Sequence, residues 1–203
     1  MLTSLKLCTF ASELQNKMEE IGKNSSDIAY ELARLHVLRG IEFSRQLQSI
    51  TMRKEFQLVK GETCIYTAIG ENDEDFPALL SAAQRAVTHG YRVFILPNPK
   101  GIRTADFILV KKGVYKMYDL KTIQGKSSVG NRLSDSKGQT NRVLLYMATD
   151  YATRLLTSDI RRYFETNPEA IEVMIFKGKR RIVINRRTAL NPVFFSWMRK
   201  MYE

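Results

Sequence analysis

The sequence predicts a mixed α/β fold, with a helical N-terminal extension over residues 1–70 and an α/β domain over residues 71–203. Apolar residues recur at helical spacing in the first part. From residue 75 the pattern becomes one helix, three short apolar runs separated by turn residues, a second helix and a fourth apolar run. The charge changes too: residues 1–70 hold 9 basic and 8 acidic side chains, whereas residues 71–203 hold 23 and 13. The predicted core is therefore helix, three-strand meander, helix, strand.

The extension is predicted to contain two helices and a short apolar segment. The first helix is expected over residues 11–22, and Asn24, Ser25 and Ser26 offer capping side chains for the second. Apolar residues on one face of the second helix predict a packing surface made of Ile28, Leu32, Leu35, Leu38 and Ile41. A short apolar segment, residues 63–68, precedes Gly70.

The first core helix is expected to begin near Pro77, after an acidic cluster that suits a helix N-terminus, and to end at Gly90. The acidic residues are Glu71, Asp73, Glu74 and Asp75. Strands are expected at 91–96, 105–110 and 114–121, a helix at 129–139 and a strand at 143–148. A helix at 151–164, a hairpin over 171–185 and a terminal helix at 192–202 complete the chain.

The composition excludes several classes of protein. With 44% hydrophobic and 26% charged residues, the chain is globular rather than disordered or fibrous. No apolar run reaches the ~20 residues of a membrane span, and the first ten residues lack the pattern of a signal peptide. Cys8 and Cys64 form neither a disulfide framework nor a zinc pattern. The net charge of +11 favours a polyanion such as nucleic acid as partner, although a generic basic surface would give the same value.

Two aspartates are predicted to face each other across the second and third strands. If Lys112 and Gly113 form a two-residue turn, paired residue numbers sum to 225, which places Asp106 opposite Asp119. Their Cβ atoms would then lie about 4.5–5.5 Å apart, where like charges destabilise a hairpin. A divalent cation is the simplest compensation. A three-residue turn would instead send the two side chains to opposite faces.

Lys121 follows Asp119 by two residues and is expected on the same face of the strand. Its ammonium group could neutralise charge that develops on a phosphate, and a metal held by the aspartates would lower the pKa of its bound water. The alternative is an exposed hairpin in which Lys121 is only a salt-bridge partner. The apolar and aromatic strand that carries both residues favours the catalytic interpretation.

Asp106 and the sequence Asp119-Leu120-Lys121 resemble the D…(D/E)-x-K signature of the PD-(D/E)XK nuclease superfamily, and the order of elements resembles its core. Residues 90–97, Thr104-Ala105-Asp106 and the segment ending in Gly138-Gln139-Thr140 resemble the tRNA-nuclease C-terminal domain of CdiA contact-dependent inhibition toxins. The resemblance covers about residues 71–187. Two positions depart from the pattern, because Ala105 stands in place of proline and Asp119 replaces the glutamate of many members.

The resemblance implies a metal-dependent endonuclease that hydrolyses nucleic-acid phosphodiesters, with RNA, and tRNA in particular, as substrate. Asp106 and Asp119 would bind Mg²⁺ or Mn²⁺, with Glu74 as the third acidic ligand and Glu71 or Asp75 as alternatives. Gln139 would orient a phosphate or a water, although a capping or surface amide fits the same position. A toxin of this kind implies action in the cytoplasm, delivery between cells and a cognate immunity protein as partner.

Basic and hydroxyl side chains outside this constellation are candidates for contacts with the nucleic-acid backbone. They are Lys126, Ser127 and Ser128 in the loop after the third strand, and Arg180 and Arg181 in the late hairpin. A solvated surface is the alternative for the charge run in the hairpin. Two other functions stay open: a metal-free RNase or non-catalytic nucleic-acid-binding module, and an adaptor whose working part is the N-terminal extension.

Overall fold

The computed structural model describes residues 27–35, 40–69, 74–99, 102–125 and 129–203, which form a mixed α/β protein around one eight-stranded sheet. The predicted helix at 11–22 and the capping residues before Asp27 lie outside the described residues. No helix in the described part of the chain combines the length and the apolar character that crossing a membrane requires.

The described helices are α1 (residues 27–35), α2 (Gly40–Thr51), α3 (Phe76–Thr88), α4 (Val129–Asp135), α5 (Thr153–Thr166), α6 (Arg186–Ala189) and α7 (Phe194–Tyr202). The strands are β1 (Gln57–Leu58), β2 (Ile65–Thr67), β3 (Arg92–Ile95), β4 (Phe107–Lys111), β5 (Val114–Ile123), β6 (Arg142–Met147), β7 (Glu172–Lys177) and β8 (Arg180–Asn185). The predicted order of helix, three-strand meander, helix and strand is confirmed by α3, β3 to β5, α4 and β6.

The strands lie in the sheet in the order in which they occur in the chain. β2 and β3 are parallel and are joined through α3, while β5, β6 and β7 are parallel and are joined through α4 and α5. The other neighbouring strands are antiparallel. Because helices make the parallel connections, both faces of the sheet can be covered and its central strands can be apolar.

Two groups of helices cover one face of the sheet. α1 and α2 bury residues such as Leu47 against Ile108 of β4, and α4, α5 and α7 bury residues such as Ile160 against Ile175 of β7. α3 packs on the opposite face, where Ala82 and Phe107 share one apolar cluster. The chain therefore has a three-layer arrangement, with β5 between the two helical groups.

β5 belongs to both apolar clusters of the two-group face. Met117 packs in the cluster of α1 and α2, and Ile123 packs in the cluster of α4 and α5. Residues two apart on a strand project from the same face, so Asp119 and Lys121 lie between these two anchors. The fold thus brings an acidic and a basic side chain to the boundary between two apolar cores.

The predicted extension differs from the structure in two respects. It is not purely helical, because β1 and β2 join the sheet and Ile65 to Thr67 pair with Val93 to Ile95. The apolar stripe is confirmed at Ile28, Leu32 and Leu35, which are buried. Ile41 does not belong to it, since α2 starts a new helix at Gly40 (φ +64°) and Ile41 is 72% exposed. Leu38 lies outside the described residues, and the division at residue 70 stays a prediction.

Candidate functional site

The β4–β5 hairpin has the predicted register. Lys112 and Gly113 form its turn with φ values of +51° and +75°, the left-handed pair that a two-residue turn of type I′ requires. Glycine adopts this conformation without strain. Lys111 pairs with Val114, and the ladder continues to Phe107 opposite Tyr118. One further step along the hairpin leads to Asp106 and Asp119.

Asp106 lies where β4 separates from β5. Its backbone N–H donates to the carbonyl of Tyr118 at 3.0 Å, and its carbonyl accepts from the N–H of Leu96 at 2.9 Å. Its carboxylate oxygen Oδ2 accepts from the N–H of Leu120 at 2.6 Å. The Asp106 side chain therefore supplies the acceptor that a longer β4 would have supplied from its backbone.

Asp119 is 2% exposed and forms an ion pair with Lys121. Lys121 Nζ lies 2.8 Å from Oδ2 and 2.9 Å from Oδ1, so both carboxylate oxygens contact the ammonium group. The Lys121 side chain is itself only 15% exposed. The expected placement of Asp119 and Lys121 on one face of β5 is thus confirmed.

The two aspartates are electrostatically coupled. Burial, and then the charge of Asp119, raise the pKa of Asp106 to about 7, against opposing effects of the Leu120 N–H and the Lys121 charge. Burial also raises the pKa of Asp119, mainly against the charge of Lys121. A hydrogen bond between the two carboxyl groups raises the pKa of Asp106 and lowers that of Asp119. These opposite effects on the two pKa values correspond to a hydrogen bond that the protonated Asp106 donates to the Asp119 carboxylate.

A cavity of about 230 Å³ opens beside Asp106. It lies between the N-terminal end of α3 and the ends of the strands at the point where β4 and β5 diverge. Its polar side chains are Asp75, Asn98, Asp106 and Thr122. Asp106 is half-buried and contacts this cavity on one side and Asp119 on the other.

Asp75, rather than Glu74, lines the cavity that adjoins Asp106. Glu74 is exposed and does not line the cavity, whereas Asp75, the residue before α3, does. Glu71 lies outside the described residues. Within the described ranges, no three or more His, Cys, Asp or Glu side chains lie close enough together to hold a metal ion as a group. Asp106 and Asp119 are thus the acidic core of the site.

Gln139 lies close in the fold to β5. It is half-buried in the turn after α4, where Gly138 has φ +83° and ends the helix earlier than predicted. The hydroxyl of the next residue, Thr140, donates to the carbonyl of Met117 at 3.3 Å. The Gln139 turn is therefore fixed to β5 two residues before Asp119.

Of the predicted backbone-binding residues, the structure describes Arg180 and Arg181, which do not lie at the aspartates. Lys126, Ser127 and Ser128 lie outside the described residues, although the Gly125 N–H before them donates to the Thr149 hydroxyl at 3.1 Å. The side chains of Arg180 and Arg181 belong to the edge strand β8, three strands from β5.

Arg181 and Arg180 occupy two different places. Arg181 donates to the Tyr91 hydroxyl at 2.5 Å, beyond the C-terminal end of α3. Asp75 lies at the other end of α3, and 13 helical residues span about 20 Å. Arg180 lines a second cavity of about 480 Å³ with Lys177 and Thr149, at the ends of β6 and β7. Both arginines could contact distant parts of a long polyanion, but neither lies at Asp106.

Arg103 is a cation at the site that the sequence analysis did not identify. It is exposed, and its guanidinium donates to the Lys137 carbonyl at 3.5 Å, which links the segment before Asp106 to the turn of Gln139. Its charge lowers the pKa of Asp119. The buried Thr104 hydroxyl donates to the Pro97 carbonyl at 3.1 Å and fixes this segment. In the sequence, the signal that could have identified Arg103 is a basic residue three positions before Asp106.

The side chains present fit a hard divalent cation. Asp106 and Asp119 offer carboxylate oxygens, the ligands that Mg²⁺ and Mn²⁺ prefer, and their burial leaves a repulsion that a cation would offset. Lys121 contacts both oxygens of Asp119, and each oxygen would keep a second lone pair with which it could bind a metal. The chain is thus a mixed α/β protein with an aspartate pair and a lysine at the point where β4 separates from β5.

Comparisons with known proteins give one distant similarity. No protein-family model matches the sequence, and no curated protein matches it. Among solved structures, the chain is similar to a CdiA-CT/CdiI toxin and immunity complex from Burkholderia pseudomallei, with 14% identity and a TM-score of 0.40 over 65% of this chain and 96% of that chain. A similarity this distant decides neither the fold family nor the activity.

Proposed function

We propose that this protein is a metal-dependent endonuclease, built on a PD-(D/E)XK-like core, that hydrolyses phosphodiester bonds of RNA. The observation that carries the proposal is the pair of half-buried Asp106 and buried Asp119, with Lys121 Nζ 2.8 Å from Asp119. Oxygen ligands and a cation thus lie together within one hairpin, and an open cavity adjoins Asp106.

A purely structural role accounts poorly for this arrangement. Burying a carboxylate costs on the order of several kcal/mol, and a second carboxylate beside it adds repulsion. One lysine serves both oxygens of Asp119, while Asp106 keeps a proton to near neutral pH. Groups whose pKa values are perturbed in this way cluster at functional sites.

The chain's own residues would divide the reaction as follows. Asp106 and Asp119 would hold Mg²⁺ or Mn²⁺, and Asp106 would lose its proton when they do so. The bound metal would supply an activated water and polarise the phosphoryl group. Lys121 would neutralise the charge that develops on the phosphate, and Gln139 would orient a phosphate oxygen or water. Asp75, which lines the cavity beside Asp106, would replace Glu74 as the candidate third acidic group.

The basic residues would bind parts of the substrate that lie away from the scissile bond. Arg180 and Arg181, together with Lys126, Ser127 and Ser128, would contact backbone phosphates away from the scissile bond and make the affinity salt-dependent. The sequence motifs suggest tRNA as substrate, a toxin that is delivered between cells and acts in the cytoplasm, and a cognate immunity protein. These parts of the proposal rest on the motif resemblance alone.

The test is cleavage by the purified full chain of tRNA, unstructured RNA and DNA, with Mg²⁺, with Mn²⁺ and with EDTA. We expect RNA cleavage that needs metal and is lost in Asp119→Asn. Glu165→Gln, an exposed carboxylate of α5, is the matched control and should cleave normally. Cleavage that persists in EDTA or in Asp119→Asn would identify a metal-free RNase instead.

Calorimetric titration with Mn²⁺ separates the proposal from a non-catalytic binding module. The wild type should bind Mn²⁺, and Asp119→Asn should not. Nucleic-acid binding without cleavage and without carboxylate-dependent Mn²⁺ binding would show that the chain is a binding module.

A further inference from the structure

The cavity beside Asp106 has a composition that the metal chemistry does not explain. Leu120 and Thr122 alternate along β5 with Asp119 and Lys121, so they point to the opposite face and into this cavity. The cavity therefore lies on the other side of β5 from the lysine. It adjoins the aspartate pair only through Asp106.

Polar atoms supply the larger part of the surface of this cavity, and apolar side chains supply the rest. The apolar residues are Ile69, Ala78, Leu79, Leu96 and Leu120. Polar groups occupy other parts of the wall, where Asp75, Asn98 and Thr122 offer hydrogen-bonding atoms. A hydrated metal ion needs polar surroundings on all sides, whereas a flat heteroaromatic ring needs apolar contacts and a few placed polar groups.

The size of the cavity limits what it can hold. At about 230 Å³ it is smaller than the ~300–1,000 Å³ of sites for drug-sized ligands. One nucleobase, with a single or a fused double ring, fits this volume together with a water, since each water takes ~30 Å³. A dinucleotide does not fit.

We propose that this cavity receives one unpaired nucleobase of the substrate, next to the phosphodiester held by Asp106 and Asp119. The identity of the ligand rests on the proposed nuclease function. A base inside a duplex must leave its stack and its partner to enter, so the cavity selects unpaired nucleotides over duplex. The carboxylate of Asp75 accepts hydrogen bonds, which favours bases with an exocyclic amino group, adenine, cytosine and guanine, over uracil.

The first test uses neutral nucleosides and EDTA, so neither metal nor cleavage is involved. Cytidine, adenosine, uridine and ribose are titrated into the methyl-labelled full chain and followed by NMR. We expect the methyl signals of Ala78 and Leu79 to shift with cytidine and adenosine, less with uridine and not with ribose. Equal responses to ribose and to the nucleosides would overturn the proposal.

The second test compares single-stranded RNA with the duplex of the same sequence by fluorescence anisotropy in EDTA. Stacking of one base supports an affinity preference of about tenfold for the single strand. Ala78 is exposed on α3 at the cavity, so Ala78→Phe fills the cavity without disturbing the core and should abolish the preference. Thr88→Phe, exposed at the far end of α3, should retain it.

A melting curve verifies that each variant is folded. If Ala78→Phe does not fold, Asn98→Ala, at an exposed position on the cavity, replaces it as the test variant. Asn98→Ala should reduce the difference between the methyl signal shifts that cytidine causes and those that ribose causes. An undiminished strand preference in the folded Ala78→Phe variant would refute the base site. If nucleosides bind as expected but the chain cleaves nothing with Mg²⁺ or Mn²⁺, the nuclease proposal fails and the base site stands.

Discussion

Replacing Asp106 with asparagine should make the metal-free protein more stable at pH 8 and should abolish metal binding. The asparagine Oδ1 can still accept from the Leu120 N–H, which Asp106 accepts at 2.6 Å. Its amide can donate to Asp119, as the protonated Asp106 does. The substitution therefore keeps both hydrogen bonds and removes one buried charge.

The magnitude follows from the pKa of Asp106, which rises from 3.8 in the unfolded chain to about 7 in the folded protein. A carboxyl with a raised folded pKa stabilises the fold below pH 3.8 relative to higher pH, and that stability is lost as the pH rises to 7. The full loss is at most ~4 kcal/mol, and about half of that after allowing for the contact of Asp106 with solvent. Asp106→Asn should recover about 2 kcal/mol at pH 8 and much less at pH 5.

The assay is thermal unfolding of wild type, Asp106→Asn and Asp106→Ala at pH 5 and pH 8, in EDTA and in Mn²⁺. A gain of about 2 kcal/mol raises the Tm of a chain of this size by roughly 4–8 °C. Asp106→Ala should gain less, because the buried Leu120 N–H loses its acceptor at a cost of ~1–3 kcal/mol.

Adding Mn²⁺ should reverse the order of stability at pH 8. At a concentration 100 times its Kd, a metal that binds only the folded state adds about 2.7 kcal/mol to the wild type and nothing to Asp106→Asn. The reasoning fails if Asp106→Asn is destabilised at pH 8, or if its gain is the same at pH 5 and pH 8.

Three further predictions concern the cations. Lys121→Met should lower kcat by about 10²–10³-fold while Lys200→Met, exposed on α7, leaves it unchanged; equal cleavage rates would remove Lys121 from the reaction. Arg103→Ala should lower kcat/KM about tenfold by removing one phosphate contact without a change in Tm, measured against Arg132→Ala on α4, and a parallel loss in both variants would refute a specific role. Arg181→Ala should cost about 1 kcal/mol of stability through its Tyr91 contacts, and Arg180→Ala should reduce the salt slope of RNA binding by about 1; the reverse assignment would contradict the structure.

Local chemistry made the hairpin predictable. Lys112-Gly113 specifies a two-residue turn, and that turn fixes every pair from Lys111 and Val114 to Phe107 and Tyr118. The position of Lys121 then follows from strand alternation alone. The predicted proximity of Asp106 and Asp119 needed no knowledge of the rest of the fold.

Long-range pairing made other features unpredictable. The three residues of β2 join the sheet through parallel pairing with β3, across a helix, and nothing within Ile65–Thr67 specifies that partner. The choice between Glu74 and Asp75 depends on the rotation of α3 over the sheet, which neighbouring acidic residues do not encode. The hydrogen bond from Arg181 to Tyr91 joins residues 90 positions apart, and nothing in the sequence of the late hairpin specifies that partner.

One mismatch in strand length produces the whole candidate site. β4 has 5 residues and β5 has 10, so β5 continues past Phe107 with β6 as its partner on one side only. The Leu120 N–H on the open side needs an acceptor, and the Asp106 carboxylate supplies it. The same gap leaves the space of the cavity, and it brings Asp106 within reach of Asp119. A β4 that paired to the end of β5 would supply the Leu120 N–H with a backbone acceptor and fill the cavity, so the cavity and the bond from Leu120 to Asp106 depend on the early end of β4.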